Sequence, residues 1–283
     1  MGQSKPVLVL LLLAVSTAAS SGKPLLTKIT KGGAATALYT APLSAGRPLV
    51  LDLSAPAITT PCSGQTTTVT LSANSTDGSN PLSPVSLAAT ATCAAAPSGA
   101  VGVAGLARSS ASFPAQVAST QKVANSFALC LPSDGRTGFT GNGVATNGIA
   151  IDGTRVAVSG TGALVVGLST TIPYAQLRAD VYRPFITAFD RAMGSSAKVA
   201  AVAPFELCYD SSKLAPTRFG YLVPNVDLML EGGTNWTMVG GNSMAQMENK
   251  LVVLDNGKKT LSFTQNLPGM GFSCSNFNFT KAA

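Results

Sequence analysis

Apolar residues in this chain come in short runs, and Gly, Pro, Ser or Asn cuts nearly every one. With 28 Gly, 17 Pro and only 11% charged residues, the chain has few places for a long helix and many for a turn. Short strands joined by turns are the elements such a chain can bury, so the expected class is all-β. Strands are expected at 37–40, 48–53, 66–71, 85–91, 126–131, 148–151, 156–158, 163–168, 225–230, 250–254 and 259–263. Two segments carry a helical rhythm instead. Phe113 to Ala124 follows Ser112, an expected N-cap, with Phe113, Val117 and Val123 on compatible faces. Asp180 is expected to cap a second short helix whose stripe is Val181, Phe185, Ala188, Phe189 and Ala192, with Pro184 in its first turn. A glycine-rich connector from Gly135 to Gly148 places a lobe boundary, giving lobes at 21–140 and 141–283.

Residues 1–20 read as a secretory leader, with Lys5 ahead of the apolar run Val7 to Val15 and small residues at Ala18-Ala19-Ser20. That run is too short to span a bilayer, so no membrane association is expected. The chain has no histidine, and Cys62, Cys93, Cys130, Cys208 and Cys274 lie far apart. This excludes a Ser–His or Cys–His nucleophile and argues against a metal site or any cofactor. Five cysteines is an odd number for an exported chain, so one thiol is left free or pairs between chains. Asn74, Asn235 and Asn278 open glycosylation sequons. The net charge of +7 is scattered, with only Lys258 and Lys259 adjacent. No nucleic-acid stripe results, whereas attraction to acidic cell-wall polymers does.

The segment Ala163 to Met193 contains an apolar strand, then Tyr174 and the pair Val181-Tyr182. It resembles the second active-site segment of a pepsin-like aspartic protease. Further blocks follow in order: Leu38-Tyr39-Thr40 with Leu49 to Leu53, Gly102 to Ala107 with Phe113 to Val117, and Asn125 to Pro132. Phe205 to Asp210, Val223 to Val226, Trp236 to Met238, Ala245 to Asn249 and Leu251 to Asp255 complete them. Together they resemble the plant family of wheat-type xylanase inhibitors, basic 7S globulins and extracellular dermal glycoproteins. The resemblance implies a bilobal pepsin-like fold, with Asp52 as a remnant first aspartate. The place of the second falls on Gly167, or by a shift of one or two residues on Leu168 or Ser169, and no carboxylate lies between Asp152 and Asp180. Pepsin-type hydrolysis needs two carboxylates sharing a proton. The Thr-Gly-Ser that follows the aspartate in active enzymes is here Leu53-Ser54-Ala55, and the flap segment Thr66 to Gly78 has no tyrosine.

Against that family the chain is a truncated member. It lacks a cysteine-rich stretch between Ile58 and Pro61, a stretch near Gly138 to Val144, and a hairpin between Met244 and Ala245. The resemblance then implies the disulfides Cys62–Cys93 and Cys130–Cys274, and a free Cys208 whose usual partner lies in the missing hairpin. It also implies two target-binding loops, one at Leu214 and Pro216, the other at Leu267, Pro268, Gly269 and Met270, where Gly269 stands in for a histidine. The expected protein is a secreted, catalytically inactive, monomeric inhibitor in the apoplast, acting on a microbial endo-xylanase or related glycoside hydrolase. The alternatives are an aspartic endopeptidase with residual activity and a 7S globulin-like storage protein that binds cell-wall polysaccharide.

Overall fold

The computed structural model describes residues 22–32, 38–76, 82–131, 144–158, 164–171, 175–195, 197–217, 220–231, 233–240, 247–264 and 267–274. Within them the chain is mostly strand, with α1 at Phe113–Gln121 and α2 at Ala179–Met193. An eight-stranded sheet holds the first part of the chain. In spatial order its strands are Leu25–Leu26, Thr66–Ser75, Ser83–Cys93, Ile58–Thr60, Val103–Gly105, Arg47–Asp52, Tyr39–Ser44 and Thr30–Lys31. Its long hairpin pairs Thr66 with Thr92 and Ser75 with Ser83. Along Ser83–Cys93 the buried Leu87, Ala89 and Ala91 alternate with exposed Ser86, Ala88 and Thr90, the period of a sheet with one face in the core. Arg47–Asp52 is different. Leu49, Val50 and Leu51 are all buried, because this strand runs parallel to Val103–Gly105 in the interior and is covered on both faces.

A second sheet of five strands contains Thr154–Arg155, Val144–Ile151, Val226–Leu230 and Asn235–Met238, with Leu164–Val166 added to Val144–Ile151. The third sheet joins the two halves of the chain. Ser126–Cys130 from the first half pairs antiparallel with Leu251–Asp255, which pairs with Thr260–Phe263. A connected core runs through these three larger sheets, from Ile29 and Leu51 to Trp236 and Leu254. Cys130 is bridged to Cys274, and Cys62 to Cys93, with Cα separations of 5.3 and 5.0 Å. Cys208 is a half-exposed free thiol.

Several local expectations are corrected. Val156 to Val158 is not a strand: the ladder stops at Arg155, and Val156 buries its side chain and bonds its N–H back to the Ile149 carbonyl at 2.8 Å. Helix α1 ends at Gln121, not Ala124, because Lys122 turns left-handed (φ 54°) and Val123 N–H closes onto the Ala118 carbonyl. Ser112 occupies the N-cap position, but its hydroxyl donates to the Ser109 carbonyl instead of accepting from the helix. In α2 the capping position belongs to Arg178, and Asp180 lies inside the first turn with its carboxylate held by the Arg178 guanidinium at 3.0 and 2.8 Å. Pro184 is inside the helix rather than in its first turn, so one backbone bond is missing there. Of the expected stripe only Val181 is fully buried; Phe185, Ala188 and Phe189 pack partly against the core and Ala192 is exposed. The short strands Ile58–Thr60 and Val103–Gly105 carry no alternation to reveal them, since three residues are less than two periods. The leader, the expected 140/141 boundary, Tyr174, the Met244–Ala245 junction and Asn278 lie outside the described residues.

Candidate functional site

Asp52 closes the interior strand Arg47–Asp52, with Gly105 as its register partner on the parallel strand. The chain beyond it is bolted to that partner: Leu106 N–H donates to the Asp52 carbonyl at 2.7 Å, and Gly105 and Ala107 N–H donate to Ala57 and Ala55 at 3.1 Å. The approach is so close that a Cβ on Gly105 would lie 2.2 Å from the Ala57 carbonyl oxygen, so no larger residue fits without moving backbone. One carboxylate oxygen of the half-buried Asp52 accepts from Ser54 N–H at 2.8 Å, Ser54 hydroxyl at 2.7 Å and, at 3.3 Å, Ala55 N–H. It is therefore held by its own turn.

The segment after Leu164–Val166 repeats this pattern. Thr171 N–H donates to Ser169 Oγ at 3.2 Å, and the two hydroxyls of Ser169 and Thr171 lie 3.3 Å apart. Residue i binds the amide and the hydroxyl of residue i+2 in both turns, with a carboxylate at 52 and a hydroxyl at 169. Between them Thr170, only 4% exposed, donates its hydroxyl to the Leu51 carbonyl at 2.7 Å across 119 residues of sequence. That bond sets the residue before Asp52 against the residue after Ser169. Gly167 is exposed and Leu168 half-buried, and neither makes a corresponding turn.

The expected contact loops lie elsewhere. Leu214 is half-buried beside the ribbon of Pro216–Thr217 and Gly220–Tyr221, in which Pro216 is exposed. Leu267–Met270 forms a 3-10 turn anchored by Leu267, which is buried and donates its N–H to the Asn249 carbonyl at 2.8 Å. Pro268 is half-buried there, while Gly269 and Met270 face water. Asn235 is exposed at the start of its strand, and Asn74 is half-buried inside the long hairpin. Among the described residues no group of three or more acidic, Cys or His side chains could hold a metal ion, and no helix is long and apolar enough to cross a membrane.

One buried ionic cluster has no counterpart in the sequence reading. Glu248, 7% exposed, accepts from Tyr39 hydroxyl at 2.5 Å and Lys31 Nζ at 2.6 Å, tying the first sheet to the strand entering the third. Burial, and then the Glu248 carboxylate, push the Tyr39 phenol well above its ordinary value. Lys250 is buried too, with Nζ donating to the Thr237 carbonyl at 3.1 Å and lying 5.8 Å from the Trp236 ring centre; burial lowers its pKa. Sequence spacing gives no signal for such pairs, whose members lie far apart in the chain.

Residues 40–143 match the family model for the xylanase inhibitor N-terminal domain and residues 142–257 that for the xylanase inhibitor C-terminal domain. The chain belongs to this xylanase inhibitor family. A relative from rice (Oryza sativa subsp. japonica), "Chitinase CLP", is 37% identical, and the match covers 93% of each chain. That match runs over 398 positions, more than the 283 residues present here, so segments of the rice protein have no counterpart in this chain. The fold is similar to the crystal structure of edgp (TM-score 0.76, 20% identity, 94% of this chain and 100% of the other). It is likewise similar to basic 7S globulin from soybean (TM-score 0.74, 20% identity, 91% and 100%). The fold is thus the pepsin-like one of these plant proteins.

Proposed function

We propose that this member of the xylanase inhibitor family is a secreted, catalytically silent protein that works by occupying a microbial glycoside hydrolase. The observation that carries the reading is the repeated turn at Asp52 and Ser169. Ser169 repeats the bonds that Asp52 makes to the amide and hydroxyl two residues on, and a hydroxyl there cannot share a proton with a carboxylate as the pepsin mechanism requires. With an acid at only one of the two turns, binding rather than peptide hydrolysis is the activity left to this scaffold. The exposed Met270 and Phe272 offer apolar contact at the C-terminal loop, next to Gly269, which contributes only backbone. An apolar side chain entering an enzyme cleft displaces water, and a few such anchors carry most of the affinity of an interface.

The test is a titration of the purified, oxidised protein against microbial endo-xylanases and related glycoside hydrolases. A fall in hydrolysis rate that saturates near one equivalent supports the reading; no change at micromolar excess against any of them removes it. Acid proteolysis of a denatured protein that pepstatin blocks and Asp52→Ala abolishes would instead identify an endopeptidase.

A further inference from the structure

Away from the Asp52 turn the second half of the chain forms an open cavity of about 480 Å³. That falls within the roughly 300–1,000 Å³ of small-ligand sites. Met193 at the end of α2, Leu214 and Leu222 give it apolar walls, and Tyr221 stands at its lining with 43% of its surface exposed. Thr217 adds a hydroxyl, and two further polar residues complete the polar lining, Asp152 and Asn225. They are locked back to back. Asn225 N–H donates to one Asp152 carboxylate oxygen at 2.8 Å, and Asp152 N–H donates to the Asn225 carbonyl at 3.0 Å. Among the described residues, the other Asp152 oxygen, the Asn225 side-chain amide and the Tyr221 hydroxyl have no protein partner. The left-handed turn at Asp152 (φ 45°) and the backbone pairing fix the carboxylate and the amide before any ligand arrives.

An acceptor-only carboxylate beside an amide that both donates and accepts matches a ligand whose groups do both, which is the chemistry of sugar hydroxyls. The aromatic ring and the aliphatic side chains match the apolar face of a pyranose ring. Among the described residues no Lys or Arg lines the cavity, and Asp152 places a negative charge in it, so an acidic polymer such as pectin is disfavoured. We propose that this cavity is a saccharide site for a short, neutral oligosaccharide that lies against Tyr221 and bonds to Asp152 and Asn225. The site does not depend on the hydrolase reading, since it needs no enzyme partner.

The experiment is calorimetric titration of the full-length protein with xylotetraose, chitotetraose and tetragalacturonate. Saturable binding of one neutral oligomer and exclusion of the acidic one is expected, and the two neutral arms tell a plant from a fungal glycan. Tyr221→Ala should weaken binding about tenfold while Tyr221→Phe keeps most of it, because the ring face supplies the contact. Tyr221 is exposed, so an unchanged Tm shows that the variant folds. Asp152→Asn, whose side chain tolerates the left-handed turn, should let tetragalacturonate in. Absence of binding by both neutral oligomers, equal affinity in Tyr221→Ala, or tetragalacturonate binding as tightly as the neutral sugars would each overturn the proposal. The titration contains no hydrolase, so its failure leaves the enzyme-binding reading standing.

Discussion

Replacing Tyr39 with Phe isolates the tie between the two ends of the chain. The substitution removes one oxygen and leaves the ring, so the loss is the bond to Glu248, made at 2.5 Å in a buried setting across 209 residues. A hydrogen bond to a charged group contributes about 1.5–3 kcal/mol, and Glu248 keeps Lys31, so Tyr39→Phe should cost about 2 kcal/mol. Urea denaturation of the disulfide-intact protein measures it as a lower midpoint with an unchanged slope. The cost should fall to about 1 kcal/mol in a Glu248→Gln background, where the acceptor is neutral. The same tyrosine predicts an alkaline limit. Its folded pKa lies above the unfolded value, so its contribution is complete below about pH 10 and is lost as the pH rises beyond it. Tyr39→Phe should flatten that fall. A cost under about 0.5 kcal/mol, or an identical cost with and without the Glu248 carboxylate, would refute the reasoning.

Substitutions at two further positions probe the turns at Asp52 and Ser169. Thr170→Val keeps the shape of the side chain but strips the Leu51 carbonyl of its partner, and should cost about 1–3 kcal/mol by urea denaturation, whereas Thr170→Ser should stay close to the parent. Ser169→Asp brings a second carboxylate to the turn opposite Asp52. Like charges raise the pKa of one of them, so the variant's stability should be present at low pH and lost as the pH rises; its Tm relative to the parent should be lower at about pH 7 than at about pH 4. A Tm difference independent of pH would mean that Ser169 does not stand near Asp52.

Much of the architecture was legible in residue order. The alternation in Ser83–Cys93, the buried run Leu49-Val50-Leu51 and the helix at Phe113–Gln121 each follow from a local period and its neighbours. The misreadings were local as well. Val156 looked like strand because it is β-branched and apolar, yet it buries its side chain without continuing the ladder. Asp180 looked like a cap because Asp favours that position, but the Arg178 guanidinium occupies its carboxylate. The cavity at Asp152, Tyr221 and Asn225 left no pattern, since three residues spread over 73 positions have no period.

The order of residues alone determined that this is a turn-rich β protein with no histidine and with no acid between Asp152 and Asp180. Those are properties of composition and short-range rhythm, which the chain carries before it folds. Which of Gly167, Leu168 and Ser169 repeats the Asp52 turn, that Tyr39 meets Glu248, and that Asn225 backs onto Asp152 were decided only by tertiary structure. Each depends on where two distant backbones come to rest, and that is set by the packing of the whole core between them.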